Sequence, residues 1–432
     1  MTGGRTDRRT DGPTVRRAGK QSVLALVACF LLPAPSFLAS QTVAIVGGTV
    51  YPVSGPKIER GTVLIRDGRI VEVGANVTVP ADAARVDATG KWVTPGLIFA
   101  GSDVGTGVAG LFGQSEARLQ GDINPSFSPA EGIDPGSLTI GQTRTGGITT
   151  AIVPPGGTLL PGQAVTIDLA GNRLDELLVQ RGSALVLNLG QGAKQAGGGS
   201  RAGTMARLRV LFADALEYDR RRGDFRRDQI QPLSAPAQQL EALLPALRGR
   251  QPVIVVANRR MDIENALRLA REFRLRIVLA GAVEGWLVAA QIAEAKVPVA
   301  VRPLQDIPDF DGLQARLDVA TLLREAGVEV IIAQADAGGD RDLRYVAGNA
   351  VRNGMSWDDA LRAITLAPAA AFGLTDRGTL EAGKVANVVV WSADPLDFAG
   401  HAEKVFIRGR EVSLRTRETD LLERYRRLPV TY

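Results

Sequence analysis

Residues 354–396 read GMSWDDALRAITLAPAAAFGLTDRGTLEAGKVANVVVWSADPL, and the hydrophobic pattern changes from helix to strand within this stretch. Ser356 begins a capping-box-like pattern, and Leu361 and Ile364 follow at helical spacing. The chain then continues into the β-branched run ANVVVWS at 386–392. This change predicts the last helix of an α/β unit, followed by a strand of a separate sheet.

The N-terminal half of that separate sheet is predicted by a similar pattern. VAIVGGTVY (43–51) and GTVLIRDGRIVEVG (61–74) cluster β-branched residues, and Asp67-Gly68 in the second segment predicts a hairpin turn. Near the C-terminus, KVFIRGREV (404–412) repeats the pattern. Two strand-rich ends that flank a long middle segment predict that both termini pair into one small β-sandwich domain.

The middle of the chain alternates short apolar runs with amphipathic helical segments. Leu208, Leu211 and Ala215 lie at helical spacing, and a similar pattern recurs at 240–247. Eight buried strands with intervening helices predict an α/β fold, a (β/α)8 TIM-like barrel over residues 96–375. The strand candidates are residues 97–100, 149–153, 165–169, 184–187, 253–257, 276–280, 299–301 and 328–333.

These patterns divide the 432 residues into five segments. The length suits one large barrel with a smaller companion domain. The predicted segments are a signal peptide over 1–40, the N-terminal part of the small β domain over 41–95, the barrel over 96–375, the C-terminal part of the small β domain over 376–415, and a C-terminal helix or tail over 416–432.

The first segment has the layout of a secretory signal peptide. Arg16, Arg17 and Lys20 precede an apolar run at 23–32, and small residues continue to Ser40, near which we expect cleavage. The apolar run is too short to cross a bilayer as a helix. The sequence therefore predicts an exported protein, periplasmic or extracellular.

The cysteine content and the net charge argue against two kinds of function, a thiolate metal site and nucleic-acid binding. Cys29 is the only cysteine and lies in the leader, where LVAC resembles a lipoprotein cleavage box, so a lipid anchor at Cys29 is the alternative to simple export. The mature chain then has no thiolate metal ligand. Residues 1–40 carry six Lys/Arg and two Asp, and removing their net +4 from the chain's +5 leaves about +1. We therefore expect no nucleic-acid partner.

Four segments together resemble the amidohydrolase superfamily, in particular its imidazolonepropionase-like and dipeptidase-like branches. Besides 354–396 they are VDATGKWVTPGLIFAGSDVG (86–105), GITTAIVPPGGTLLPGQAVTIDL (147–169) and PVIVVANRRMDIENALRLAREFRLRIVLAGAVEG (252–285). The resemblance implies metal ions, usually zinc, held by histidines and carboxylates at the C-terminal mouth of the barrel. There the metal activates water for hydrolysis of a C–N bond.

This sequence fills most of the implied ligand positions with other residues. The resemblance implies histidines where the chain has Gly101 and Asp103 after the first barrel strand, Asn258 after the fifth and Gly281 after the sixth. The only histidine of the chain is His401, which lies between two strands of the predicted small domain. The sequence therefore predicts that the usual histidine-bound zinc site is lost.

The carboxylates near the strand ends allow a different kind of metal site. A lysine often stands at the position of Asp168, and the acidic residue implied near the eighth strand is retained as Asp336. If Asp103, Asp168 and Asp336 lie at strand ends on one barrel face, they could hold a single hard divalent cation. Without a cation they would repel one another, and Arg259 and Arg260 could then supply positive charge or bind a ligand.

Two functions compete on these observations. The first is a non-catalytic homologue that acts as a binding or assembly subunit, with no cofactor, a small polar ligand, and a homo-oligomer or a hetero-oligomer with an active paralogue as its context. The second is a hydrolase of non-peptide or dipeptide C–N bonds that uses a retooled carboxylate site. The sequence contains no cysteine nucleophile in the mature chain and no G-x-S-x-G elbow served by a histidine.

Overall fold

The structure is a computed structural model that describes residues 42–107, 115–226, 232–303, 308, 310–333 and 342–426. The predicted leader lies outside these residues. The strands are β1 (Val43–Val50), β2 (Ile58–Arg66), β3 (Arg69–Gly74), β4 (Ala84–Asp87), β5 (Trp92–Pro95), β6 (Leu97–Ala100), β7 (Ile148–Val153), β8 (Gly162–Asp168), β9 (Leu178–Asn188), β10 (Val253–Ala257), β11 (Ile277–Gly281), β12 (Val299–Val301), β13 (Val330–Ile332), β14 (Val388–Trp391), β15 (Ala402–Ile407) and β16 (Arg410–Val412). The helices are α1 (Leu138–Thr145), α2 (Leu174–Leu177), α3 (Arg201–Arg220), α4 (Arg222–Arg226), α5 (Ala237–Leu247), α6 (Arg260–Phe273), α7 (Ala289–Glu294), α8 (Val319–Glu325), α9 (Leu343–Arg352), α10 (Trp357–Ala363), α11 (Leu366–Ala371) and α12 (Arg417–Arg426).

Strands from both ends of the described chain build one sheet, as the sequence predicts. Its order is β16-β15-β14-β5-β1-β2-β3, and β4 pairs with β1. Strand β14 runs antiparallel to β5, so that Trp391 lies opposite Trp92. The predicted turn at Asp67-Gly68 joins β2 to β3. The chain therefore leaves the small sheet after β5 and returns to it with β14.

The second sheet is a nearly closed eight-stranded barrel, and each predicted barrel strand is found in it. Its order follows the chain from β6 to β13. All strands run in one direction except β8, which is antiparallel to both of its neighbours. The loop 154–161 between β7 and β8 is too short for the crossover that a parallel connection requires. The chain therefore turns back as a hairpin, which departs from strict (β/α)8 alternation.

Alternate side chains of the barrel strands pack on opposite sides of the sheet. Ile98, Ile152, Ala164 and Ala300 belong to the cluster inside the barrel. Their neighbours along the strands, such as Phe99, belong to the cluster that packs against the outer helices. The predicted apolar positions of α3 and α5 lie in that same outer cluster, so the sequence periodicity identified the correct helix faces.

Helix α11 packs between the first and the last barrel strands. It contacts both β6 and β13, and its Ala367 and Ala369 join the cluster inside the barrel. The segment just before α11 is bound to β6, because Ile98 N donates to Ile364 O at 2.8 Å. Helix α10 begins as predicted, with the Ser356 hydroxyl accepting a hydrogen bond from the backbone of the first turn. No helix in the described ranges is both long enough and apolar enough to span a membrane.

Trp391 fixes the small sheet against the barrel. Its side chain is fully buried, and its indole N–H donates to Thr94 Oγ1 at 2.9 Å. The ring packs on Gly147, just before β7, where an added Cβ would lie 2.2 Å from Trp391 Cη2. Gly147 also has a φ of +77°, a conformation that favours glycine. This contact requires glycine at position 147.

Candidate functional site

The carboxyl ends of the parallel strands form a mouth at one end of the barrel. Gly101 and Asp103 follow β6, Asn258 follows β10, Gly281 ends β11 and Arg302 follows β12. Because these strands run in the same direction, their ends lie on the same edge of the sheet. We call the end of the barrel marked by these five residues the barrel mouth.

Asn258 and Gly281 share one space in the barrel mouth. A Cβ added to Gly281 would lie 2.1 Å from Asn258 Oδ1 and 3.8 Å from Arg302 Nη2. Gly281 has a φ of +86°, in the region where other residues are strained. A side chain at position 281 would therefore collide with the Asn258 amide and also strain the backbone.

The Asn258 side chain carries an unmet hydrogen-bond acceptor. Its Oδ1 atom is buried and accepts no hydrogen bond from any described residue. Its backbone is satisfied, since Asn258 O accepts from Glu284 N at 2.9 Å. A buried amide oxygen without a donor costs about 1–3 kcal/mol. The Cβ position of Gly281 is near both this acceptor and the Arg302 guanidinium, so the mouth contains an amide oxygen and a cation.

Asp103 brings a carboxylate to the barrel mouth. Its segment is anchored to β7, because Gly101 N donates to Ile152 O at 3.0 Å, and Thr106 Oγ1 donates to Asp103 O at 2.8 Å. Burial raises the pKa of the Asp103 carboxyl above its usual value, and no described cation acts to lower it. A carboxylate with a raised pKa has the chemistry of a general base.

A second carboxylate, Glu284, braces the loops around the barrel mouth. Glu284 is buried; its Oε2 accepts from Arg260 N at 2.9 Å and its Oε1 accepts from Gln314 N at 3.4 Å. Beside it, the Arg259 guanidinium donates to the Phe310 carbonyl at 3.1 Å from Nε. Both Glu284 oxygens are therefore occupied by backbone hydrogen bonds.

An ion cluster ties the helices on the mouth side together. Arg201 Nε lies 2.7 Å from Asp262 Oδ1, and Arg201 Nη2 lies 3.3 Å from Asp311 Oδ1. Asp262 is 1% exposed, and burial raises the pKa of its carboxyl although Arg201 acts in the opposite direction. The cluster connects the start of α3, the first turn of α6 and the segment at 310–318.

Asp168 lies at the opposite end of the barrel, so the prediction that it shares a face with Asp103 is wrong. Asp168 ends the reversed strand β8 and lies opposite Thr150, in the first half of β7. The carboxylate is fully buried and accepts from Thr150 Oγ1 at 2.8 Å, Arg377 Nη1 at 2.5 Å and Arg408 Nε at 2.8 Å. The hairpin between β7 and β8 is the physical reason, because it carries Asp168 away from the mouth.

The Asp168 cluster joins the barrel to the small sheet. Arg377 precedes β14 and Arg408 follows β15, so both guanidinium groups come from the C-terminal part of the chain. Burial acts to lower the pKa of Arg377, but the carboxylates of Asp168 and Asp376 outweigh it and raise that pKa. This is the pattern of a structural ion-pair network rather than of a metal site.

The remaining predicted residues are also placed, except one. Arg260 pairs with Glu264 on its own helix at 3.0 Å. His401 is exposed, and its Nδ1 lies 2.9 Å from Ser392 Oγ in the loop between β14 and β15. Asp336 lies outside the described residues. Within the described part of the chain, no three His, Cys, Asp or Glu side chains are close enough to hold a metal ion.

Sequence reasoning missed several residues of the mouth region. Arg302 directly follows β12, so inspection of the first residue after each strand would have found it. Glu284 carries a weaker signal, because it lies in the loop after β11. Arg201 gives none, since its partners Asp262 and Asp311 are distant in sequence.

Known proteins share parts of this sequence and this architecture. The sequence profile of the Amidohydrolase family matches residues 289–413. An imidazolonepropionase from Mesorhizobium japonicum is 26% identical over 78% of this chain and 87% of that protein. The solved structure of an amidohydrolase from Thermotoga maritima is 28% identical, with a TM-score of 0.79 over 86% of this chain and 100% of that one. In sequence and in fold, this chain is similar to proteins of the amidohydrolase superfamily.

These similarities support the resemblance to the amidohydrolase superfamily that the four sequence segments indicate. The profile match includes all of 354–396, the stretch with the most specific pattern. The amidohydrolase tasK of Hapsidospora irregularis is 24% identical over 81% of this chain but only 39% of its own length. The chain therefore spans well under half of that relative.

Proposed function

We propose that this chain is a non-catalytic amidohydrolase homologue that binds a small polar ligand at its barrel mouth. The observation that carries the proposal is the packing of Asn258 against Gly281. The family resemblance implies histidines at both positions, and here one is an amide and the other has no side chain. A Cβ at position 281 would lie only 2.1 Å from Asn258 Oδ1, so the Asn258 side chain requires glycine at position 281.

The donor set of the described mouth does not fit zinc. Zinc sites of this kind use neutral imidazoles that leave one coordination position open. The one histidine of the chain, His401, bonds to Ser392 beside the small sheet. Glu284 uses both oxygens on backbone N–H groups. We therefore propose no zinc-dependent reaction at this site.

The mouth instead suits a ligand that carries both an N–H donor and an anionic group. Asn258 Oδ1 would accept from the donor, which would satisfy the buried oxygen. The guanidinium groups of Arg302 and Arg259 would attract a carboxylate. We do not assign a ligand contact to Arg260, because it pairs with Glu264 on α6. An N-acyl amino acid has the required combination.

We further propose that the protein is exported and acts as part of an oligomer. The leader predicted over residues 1–40 would place this binding function outside the cytoplasm. A homo-oligomer, or a hetero-oligomer with an active paralogue, would give a non-catalytic subunit its role. Light scattering of the purified protein, alone and with a co-expressed paralogue, measures both forms.

A hydrolase with a retooled carboxylate is the second candidate, and Asp103 is the observation that favours it. Its raised pKa would let it accept a proton from an attacking water. A metal-free reaction would also need an oxyanion stabiliser, and Arg302 would be the candidate for that role. A divalent cation at the mouth could not use Asp168 as a ligand, because that carboxylate is bound to Arg377 and Arg408.

One pair of assays distinguishes the two candidates. Calorimetry with N-acetylglycine should detect binding, which Asn258→Ala should weaken about threefold to tenfold, as expected for one hydrogen bond. Arg260→Gln is the matched control and should leave the affinity unchanged. Hydrolysis of N-acyl amino acids, dipeptides and cyclic imides should stay at the buffer rate with or without added Zn²⁺, Mn²⁺ or Mg²⁺. Turnover that Asp103→Asn abolishes would favour the hydrolase instead.

A further inference from the structure

A cavity lies at the end of the barrel away from the mouth. It is a cleft of about 390 Å³, open to solvent, between α1, the residues after β8 and the segment that leads into α12. Residues 170–172 line it, two to four residues after Asp168, and Asp168 lies opposite Thr150 in the first half of β7. The cavity is therefore at the amino-terminal end of the parallel strands. We call it the basal cavity.

The charged residues that line the basal cavity are all arginines. They are Arg144, Arg415 and Arg417, and no acidic residue is among the described lining residues. The other polar side chains of the lining, such as Ser137 and Asn172, are neutral. A cavity with this lining attracts anions.

Arg144, in the last turn of α1, has no counter-charge. Its Nε is buried and makes no hydrogen bond, and the described chain supplies no ion pair for its guanidinium. Burial lowers the pKa of Arg144, the direction expected when a cation leaves water without an anionic partner. Burying an unpaired charge is costly, so folded proteins normally provide a partner. An anion in this cavity would supply such a partner.

The other two arginines differ in how far they are already neutralised. Arg415 pairs with Asp420 at 2.6 Å and with Glu423 at 2.9 Å, both on α12. Arg417 begins α12 and adds a second cation to the lining. Because two carboxylates already neutralise Arg415, we expect Arg144 to be the main contact for an anion and Arg417 to add positive charge. A substitution of Arg415 can therefore serve as a control.

Gly141 keeps the approach to Arg144 open. It lines the basal cavity one turn before Arg144, and an added Cβ would lie 3.7 Å from Arg144 Nη2. A single methyl would therefore fit, but a branched side chain would occupy the space beside the guanidinium. The position allows the cavity to be filled without removing any charge.

We propose that the basal cavity binds a small oxyanion, a carboxylate or a phosphate, through the guanidinium of Arg144. The planar fork of arginine matches both groups and can donate two parallel hydrogen bonds to either. The volume is within the range of small-molecule sites. This site is independent of the barrel mouth and of the function proposed for it.

The experiment is calorimetric titration of the full chain with inorganic phosphate and, separately, with succinate, at an ionic strength held constant with sodium chloride. We expect one equivalent of at least one of the two anions to bind, and the preferred anion identifies the ligand class. Arg144→Gln should weaken binding at least about tenfold, because it removes a charged hydrogen-bond donor. Gly141→Leu should weaken it as strongly by filling the cavity. Arg415→Gln should change the affinity by less than about twofold.

Thermal unfolding without anion separates ligand binding from a structural role. Arg144→Gln removes an uncompensated charge, so its melting temperature should equal or exceed that of the wild type. If that variant nevertheless fails to fold, Gly141→Leu, which keeps every charge, decides the matter in the same titration. Failure of both anions to bind the wild type would overturn the proposal. Undiminished binding to Arg144→Gln or to Gly141→Leu would do the same.

Discussion

Replacing Asp168 by asparagine removes one charge from a fully buried cluster while it keeps the shape of the side chain. The carboxylate bonds to Arg377, Arg408 and Thr150, and the Arg377 side chain is only 5% exposed. Removing one partner of a buried ion pair costs about 3–5 kcal/mol. Arg377 would retain Asp376 at 2.9 Å, and Arg408 is 41% exposed and can be solvated. We therefore expect the lower end of that range, a loss of about 3 kcal/mol in the free energy of unfolding.

Urea unfolding followed by circular dichroism at neutral pH measures this loss. Asp103→Asn is the matched control, because it makes the same chemical change at the barrel mouth. Burial raises the pKa of Asp103, so its charged form is disfavoured in the folded protein and the neutral amide should be tolerated or stabilising. An Asp168→Asn protein that unfolds at the wild-type urea concentration would refute the structural role of Asp168. An equally large loss in Asp103→Asn would show that the destabilisation does not depend on the buried ion cluster.

Three further predictions test the packing and the electrostatics. Gly147→Ala should destabilise by about 2–5 kcal/mol, from left-handed backbone strain and overlap with Trp391, and an unchanged melting temperature would contradict this. Gly281→Ala should cost about 1–2 kcal/mol for its backbone conformation, plus the overlap with Asn258. Asn258→Ala in the same chain should recover the overlap part, and a strictly additive double-mutant cycle would show that the two residues do not share space. For Asp103 the folded pKa is raised above the ordinary 3.8, so wild-type stability relative to Asp103→Asn is full below that pH and falls as the pH rises through the folded pKa. Unfolding of both proteins across the acid range measures this, and a difference that is constant with pH would contradict it.

Much of the fold could be predicted because burial leaves a periodic pattern in the sequence. The apolar runs at 253–257 and 299–301 have the same bounds as β10 and β12. The pairing of the two termini followed from matching strand patterns at both ends of the chain. The direction of β8 could not be read from its apolar residues, because a strand buried on both faces has the same pattern in either direction. The shortness of 154–161 was the available signal.

The candidate site was predictable only where it depends on strand ends. Asn258 and Gly281 lie at the mouth because the strand bounds were right, whereas Asp168 was misplaced because the direction of its strand was assumed. The overlap between Asn258 and Gly281 depends on backbone conformation and on packing across two strands, which no local pattern records. The unpaired state of Arg144 likewise became visible only when its surroundings were known.

A barrel mouth without metal-binding chemistry should leave the purified protein free of divalent metal, which elemental analysis measures. The protein should be dialysed against metal-free buffer and, in parallel, against buffer with added Zn²⁺ followed by the same removal step. We expect less than about one tenth of an equivalent of any divalent metal in either sample. Close to one equivalent, lost on Asp103→Ala or Asp336→Ala, would contradict it and would establish a carboxylate-bound metal at the mouth.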